Sequence, residues 1–267
     1  MEYGIKINGL GEEISGKYKY VYFGDETCER KMPAPEDAKK IFLQCAEKKI
    51  TPVLMLPFMT DAGIEKAEKL VNELDKLNIN FEATTNDLGI IETLIKTKNC
   101  TINCGRLLIK MKKGPEIMAG EKTEAFRANS LKSTEFIKFM EKLGIKRFET
   151  DIPPQGIDLP EGKNITAYLG NVLISTTRRC PFIDIFSDNY TYKVKECHKE
   201  CLKMLFTKKT QFHKETIYAI GNSEYLTKEK NLEMEMKGKV NRVVVFKSLF
   251  KHACQEELAT SLPNRLI

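Results

Sequence analysis

Apolar positions along the chain keep two different periods, and the alternation between them sets out the elements. Alternating or continuously apolar runs predict strands, and runs with apolar residues three and four apart predict helices. Lys17–Gly24 (KYKYVYFG) alternates, is rich in aromatics and predicts a strand. Glu36–Lys49 follows with Ala38, Ile41, Phe42, Cys45 and Ala46 on one helical face. Pro52–Leu56 (PVLML) is apolar throughout, as suits a parallel strand covered on both faces. Gly63–Leu77 sets Ile64, Ala67, Leu70, Val71, Leu74 and Leu77 at helical spacing. Asn80–Thr84 predicts a short strand, Asp87–Lys96 a short helix and Thr101–Ile109 a strand.

The pattern then repeats. Lys110–Lys132 is polar, carries Gly114-Pro115 and predicts an excursion. After it Ser133 caps a helix through Leu143, which Gly144 ends. Arg147–Thr150, Ile165–Leu169 and Val172–Ser175 predict strands. A polar loop and a short helix follow Cys180, and Thr216–Ile220 and Val240–Phe246 are late strands. Strand–helix units repeated without a linker predict an α/β protein, with a parallel sheet sheathed by helices. At 267 residues the natural form is one β/α-barrel-like domain over 1–267, closed or partly closed, with a cysteine-rich segment toward its C-terminal part. Residues from about 205 onward are left to close the barrel or to form a partner interface. Ligands in such folds bind at the C-terminal ends of the strands, so the residues just after each strand are the ones to inspect.

Composition narrows the class. With 42% hydrophobic and 30% charged residues the chain can bury a large core under a charged surface. No apolar run approaches the ~18 residues that cross a bilayer, and Met-Glu-Tyr-Gly-Ile-Lys lacks the basic-then-apolar start of a secretory signal. A cytoplasmic protein is expected. The net charge of +6 comes from basic residues interleaved with acids, as on solvated helix faces, and points to no particular partner.

A reducing compartment decides how eight cysteines are read, because clustered thiols there more often bind metal than form disulfides. Cys197 and Cys201 form a C-x3-C pair (CHKEC) in a segment with helical pattern, where residues four apart lie about 5–6 Å apart at Cβ. Cys180 follows a predicted strand in STTRRCP, and Cys28 follows another in YFGDETC. Four such thiols suit a cubane, a binuclear cluster or zinc. Cys100 and Cys104 share the C-x3-C spacing on a predicted strand, where about 3.3 Å per residue holds them roughly 13 Å apart. Cys45 and Cys254 fall among apolar neighbours and read as buried structural thiols. His198 points away from the helical face of the pair. With three histidines and no HExxH, GxSxG or GxxxxGK[ST] motif, no hydrolytic site is legible. Asp151 and Asp158, flanking Pro153-Pro154, read as turn formers.

Five motifs taken together, YFGDETC at 22–28, TNDLGIIETL at 85–94, CGRLLIK at 104–110, RFETDIPPQGI at 147–157 and STTRRCP at 175–181, resemble the collagenase-like peptidase family, the U32 group. The likeness is strongest to its UbiV-like branch, which acts in oxygen-independent ubiquinone biosynthesis. The resemblance implies a 4Fe–4S cluster on Cys28, Cys180, Cys197 and Cys201 in a barrel-like domain. It also implies a heterodimer with a UbiU-like partner, and hydroxylation of a small aromatic or quinone precursor without molecular oxygen. Other relatives act on transfer or ribosomal RNA, which makes an RNA-modifying subunit the alternative. A peptidase, as in the family name, lacks a nucleophile–base pair in this chain. Asn86, Arg106, Glu149 and Arg178 lie near strand ends and are candidates to meet a small anionic substrate or oxygen donor, the arginines because guanidinium pairs with carboxylate and phosphate.

Overall fold

Helix ends and strand faces follow from the side chains at each boundary. The computed structural model describes residues 1–114, 117, 123–185, 197–202, 205–210, 213–227 and 238–246. The chain opens on a strand the hydrophobic pattern did not reveal, β1 (Glu2–Lys6), followed by β2 (Tyr20–Gly24). Helix α1 (Pro35–Glu47) starts on a proline whose fixed φ suits a first turn, and it buries Ala38, Ile41, Phe42 and Cys45. After β3 (Thr51–Leu56), Thr60 caps α2 (Asp61–Asp75) by accepting from the Gly63 amide, and Ala67, Leu70, Val71 and Leu74 form its inner face.

Next come β4 (Phe81–Thr85), α3 (Ile91–Lys96) and β5 (Cys100–Cys104). The strand expected to reach Ile109 stops at Cys104 because a turn closes there, with the Leu108 amide donating to the Gly105 carbonyl at 3.1 Å. Ser133 caps α4 (Thr134–Lys142) through the Phe136 amide at 3.2 Å, and Gly144 (φ +82°) ends it, both as the sequence predicts. The barrel continues with β6 (Ile145–Asp151) and β7 (Ile165–Leu169). Then β8 (Asn171–Thr176), α5 (Pro181–Ile185), β9 (Phe206–Thr210), β10 (His213–Ile220) and β11 (Ser223–Thr227) lead to β12 (Arg242–Phe246).

Eight strands, β1 to β7 and β12, close a barrel in the order β1-β12-β7-β6-β5-β4-β3-β2. Every pair in it is parallel. Between the seventh and eighth barrel strands the chain builds a second, antiparallel sheet in the order β8-β11-β10-β9. The Val172–Ser175 strand therefore belongs to this accessory sheet and not to the barrel. Among the described residues, no helix is long and apolar enough to cross a membrane.

Period-2 alternation sorts the barrel strands into two faces. Outward residues such as Val21, Phe23, Leu54, Ala83, Ile102, Phe148 and Ala167 join the helices in one large apolar layer. Tyr20, Tyr22, Val53, Met55, Tyr168 and Val244 form a separate cluster in the lumen. Lumen positions on the same strands also carry Glu82, Glu149, Asp151 and Arg242, so the interior is unusually charged for a packed barrel.

Phe42 is fully buried, with its ring edge-on to Phe23 (centroids 5.7 Å apart) and Phe81 (5.1 Å). Truncating it leaves an aromatic-sized hole between helix and barrel. Phe42→Ala is expected to lower the unfolding free energy by about 3–5 kcal/mol, measured by urea titration, with the denaturant slope unchanged because the exposed surface is the same.

Candidate metal centre at the barrel mouth

The segment after β2 is locked before it reaches Cys28. Gly24 sits at φ +94°, and a Cβ there would approach the Met55 carbonyl oxygen to 2.5 Å, so only glycine fits this turn. Asp25 then holds the next residues: its Oδ1 accepts from the Thr27 amide (2.9 Å) and the Cys28 amide (2.8 Å), and its Oδ2 meets Lys31 Nζ at 2.6 Å. Burial opposes the charge on Asp25, but Lys31 outweighs it and the carboxyl lies below its usual range. Cys28, half-buried, is thus fixed at its backbone by a carboxylate.

The other three thiols come from the insertion that carries the accessory sheet. Cys180 stands just ahead of α5, and Cys197 and Cys201 precede β9. The helix expected across CHKEC does not form there: Cys197–Lys199 is irregular, Lys199 takes a left-handed φ of 61°, and Glu200–Leu202 is a single 3-10 turn. A left-handed lysine ends any helical run, so the pair is not set by an i, i+4 relation. His198 is exposed.

Cys201 nevertheless lies within electrostatic reach of the other three predicted ligands. Burial first, and then the neighbouring Cys180, Cys28 and Cys197, push the Cys201 thiol up to about 11, against the pull of Lys31. Lys31 in turn feels Cys201, and it pulls against the burial and the Asp25 charge that together raise the Cys28 thiol. Lys31, partly buried, thus stands within reach of two of the four predicted ligands, Cys28 and Cys201. Among the described residues, no three His, Cys, Asp or Glu side chains are placed to ligate a single metal ion. The remaining described cysteines lie elsewhere. Burial raises Cys45 and Cys100 to about 12 and Cys104 higher still, the behaviour of inert core thiols. Cys254 lies outside the described residues.

Below the thiols the mouth is closed by Arg106. Its guanidinium is 1% exposed and pairs in two-pronged fashion with Glu26, one prong at 2.8 Å. It also pairs with Asp151 and donates to the Asn171 carbonyl at 2.8 Å. The rings of Tyr168 (4.7 Å), Phe246 (5.6 Å) and Tyr225 (5.8 Å) surround it. Asp151, expected as a turn former, is instead a buried counter-ion that also meets Lys113 at 2.6 Å. Asn86 supports this turn from behind, its amide donating to the Leu56 carbonyl (3.1 Å) and accepting from the Leu107 amide (3.0 Å).

Glu149 lies in the lumen one layer down, fully buried, and accepts hydrogen bonds from Tyr22 (3.0 Å) and Tyr168. Burial pushes its carboxyl up to about 7, although both tyrosines and Arg242 favour the anion. Arg178 alone among the four substrate candidates is exposed, its guanidinium stacked on Phe58 at 4.3 Å. Glu26 and Lys31 were missed in the sequence. DET in YFGDETC showed acids beside a cysteine, but nothing local indicates that Glu26 faces an arginine eighty positions away.

No family model matches the chain, and no curated protein matches it. Among solved structures, that of the U32 peptidase Mk0906 is 10% identical with 92% of each chain covered and a TM-score of 0.44. The closed barrel rests on its own strand pairing and not on that likeness.

The raised pKa of Glu149 sets a pH dependence. Its folded value of about 7 lies above the ordinary 4.5, so the stability it contributes is complete below pH about 4.5 and is lost as pH rises through 7. The loss is on the order of 3 kcal/mol for a shift of this size. Glu149→Gln, which keeps the neutral form, should gain on wild type between pH 5 and pH 8 in urea unfolding. Parallel stability curves would show that Glu149 is ionised throughout.

Proposed function

We propose that the protein carries a 4Fe–4S cluster on Cys28, Cys180, Cys197 and Cys201 and serves as a redox component of an oxygen-independent hydroxylation. In this reading it resembles the UbiV-like branch of the U32 group and works in a heterodimer with a UbiU-like subunit, on a small aromatic or quinone precursor. The observation that supports the reading is that Cys201 lies within electrostatic reach of the other three thiols, which come from three chain segments, and that Lys31 acts on Cys28 and Cys201. The donor set fits the group: thiolates are the ligands iron–sulfur clusters use, and soft sulfur donors favour such clusters or zinc over hard cations. When bound, the cluster supplies one-electron transfer.

The surrounding chain does the rest. Lys31 offsets part of the negative charge that thiolates bring into a half-buried site, and the Asp25 turn presents Cys28. Arg178, exposed beside Cys180, is the cation offered to an anionic substrate or oxygen donor. Asn86, Arg106 and Glu149 lie beneath the surface and act on such a molecule through the framework of the mouth.

Anaerobic purification with iron and acid-labile sulfide analysis tests this. The wild-type protein is expected to hold about four iron and about four sulfide per chain, and Cys28→Ala to lose most of both. An anaerobic preparation that is colourless and iron-free sinks the proposal, and stoichiometric zinc in place of iron moves the site to a structural class.

A further inference from the structure

The three segments that carry the four cysteines are far apart in sequence, and one two-residue turn touches all of them. Between β10 and β11 the chain reverses through Gly221-Asn222. The Asn222 side chain is buried, and its amide nitrogen donates to the Thr27 carbonyl at 2.6 Å and to the Thr177 carbonyl at 2.8 Å. Thr27 immediately precedes Cys28, and Thr177 lies on the segment leading into Cys180. The Thr177 amide answers by donating to the Asn222 carbonyl at 2.9 Å, so that segment is gripped from both sides. A third acceptor, Thr176 Oγ1, lies farther off at 3.3 Å, as expected of a nitrogen whose two protons are already used.

Gly221 completes the contact. Its φ of +60° suits glycine, and a Cβ there would stand 3.3 Å from Cys201 Sγ and 3.4 Å from Cys201 Cβ. The third cysteine-bearing segment therefore packs directly on the bare backbone of the same turn. We propose that the Gly221–Asn222 turn is the positioning element of the four-cysteine site. Asn222 holds the Cys28 and Cys180 segments in register, and Gly221 leaves the space that seats Cys201. This proposal rests on the reading of the four thiols as ligands of one group.

The chemistry explains the residue types. One side-chain nitrogen must satisfy two carbonyl oxygens from different segments, which an amide does with its two protons. An aspartate would turn lone pairs toward both carbonyls, and an alanine would leave both without a partner in a buried place. Groups that orient metal ligands from behind affect the metal they never touch.

The test uses the full-length, metal-free protein with cadmium ion as a thiolate probe, read by the ultraviolet charge-transfer band, alongside anaerobic iron loading. Asn222→Ala is expected to weaken cadmium binding by about 10–100-fold and to lower iron content, with an altered electron paramagnetic resonance line shape in the reduced protein. Phe42→Ala serves as a control of lowered stability: it should keep wild-type cadmium affinity. If Asn222→Ala does not fold, Gly221→Ala, which keeps the Asn222 amide, crowds Cys201 and strains the turn at its positive φ, is expected to shift the band and weaken cadmium. Wild-type cadmium affinity in both variants overturns the positioning role while leaving the cluster reading intact. Wild-type protein that binds cadmium through thiolates but no iron, with the variants weakened, sinks the cluster reading and supports the positioning role. Wild type that takes up neither ion sinks both.

Discussion

The upper half of the molecule depends on one buried guanidinium. Arg106 has no access to water, and a desolvated cation is tolerated only where anions and acceptors surround it. Glu26 comes from the loop after β2, Asp151 from the end of β6 and the Asn171 carbonyl from the start of β8. Opposite walls of the barrel and the root of the accessory sheet are thereby tied through a single side chain. Removing such a group would strip Glu26 of its guanidinium partner and leave Asp151 with Lys113 alone, and a broken buried pair costs about 3–5 kcal/mol. The aromatic rings around it exclude water and strengthen each attraction by lowering the local dielectric. Because Glu26 stands two residues from Cys28, the same network anchors the loop on which the candidate metal centre is built.

The charge pattern changes with height in the barrel. At the base, Arg242 pairs with Glu82 at 2.6 Å and stacks on Tyr20. In the middle layer, Glu149 faces tyrosines and lies near neutrality. At the mouth, Arg106 and Lys31 oppose Glu26, Asp151 and Asp25 before the thiols are reached. Lys6, held between the Ile7 and Gly24 carbonyls, is lowered to about 8 because burial outweighs the acids nearby. Lys31, partly buried and paired with Asp25 at 2.6 Å, is a cation that acts on both Cys28 and Cys201.

Much of the barrel was legible from hydrophobic period alone. The faces of α1 and α2, the Ser133 cap and the Gly144 stop are local features, and local features are written in adjacent residues. β1 was not legible because EYGIK is short and its lumen positions are Glu2, Gly4 and Lys6, leaving only Tyr3 and Ile5 as apolar marks of the alternation. The accessory sheet was only partly legible, since Val172–Ser175 looks like any barrel strand until its antiparallel partner is known. The helix assigned to CHKEC failed because a polar segment with helical spacing gave no sign that Lys199 would turn left-handed. The strand assignment of Cys100–Cys104 was right, and an extended strand holds those two thiols roughly 13 Å from each other. Long-range ion pairs such as Arg106 with Glu26 leave no mark in a single sequence; only the composition of the motif hints at them.

The placement of β12 carries a consequence for how the chain is made. Seven barrel strands are complete at Leu169, but the strand that fills the gap between β1 and β7 begins only at Arg242. Emerging from the ribosome, the sheet would present two bare edges, the condition most prone to pairing with a neighbouring chain. Pairing the first strand with the last also raises contact order, which slows folding. The detour between these edges contains Cys180, Cys197, Cys201 and the Gly221–Asn222 turn. Ring closure and the placement of these three cysteines thus belong to the same late stage of folding, and a chain that stalls there has an open seam and three unplaced cysteines together.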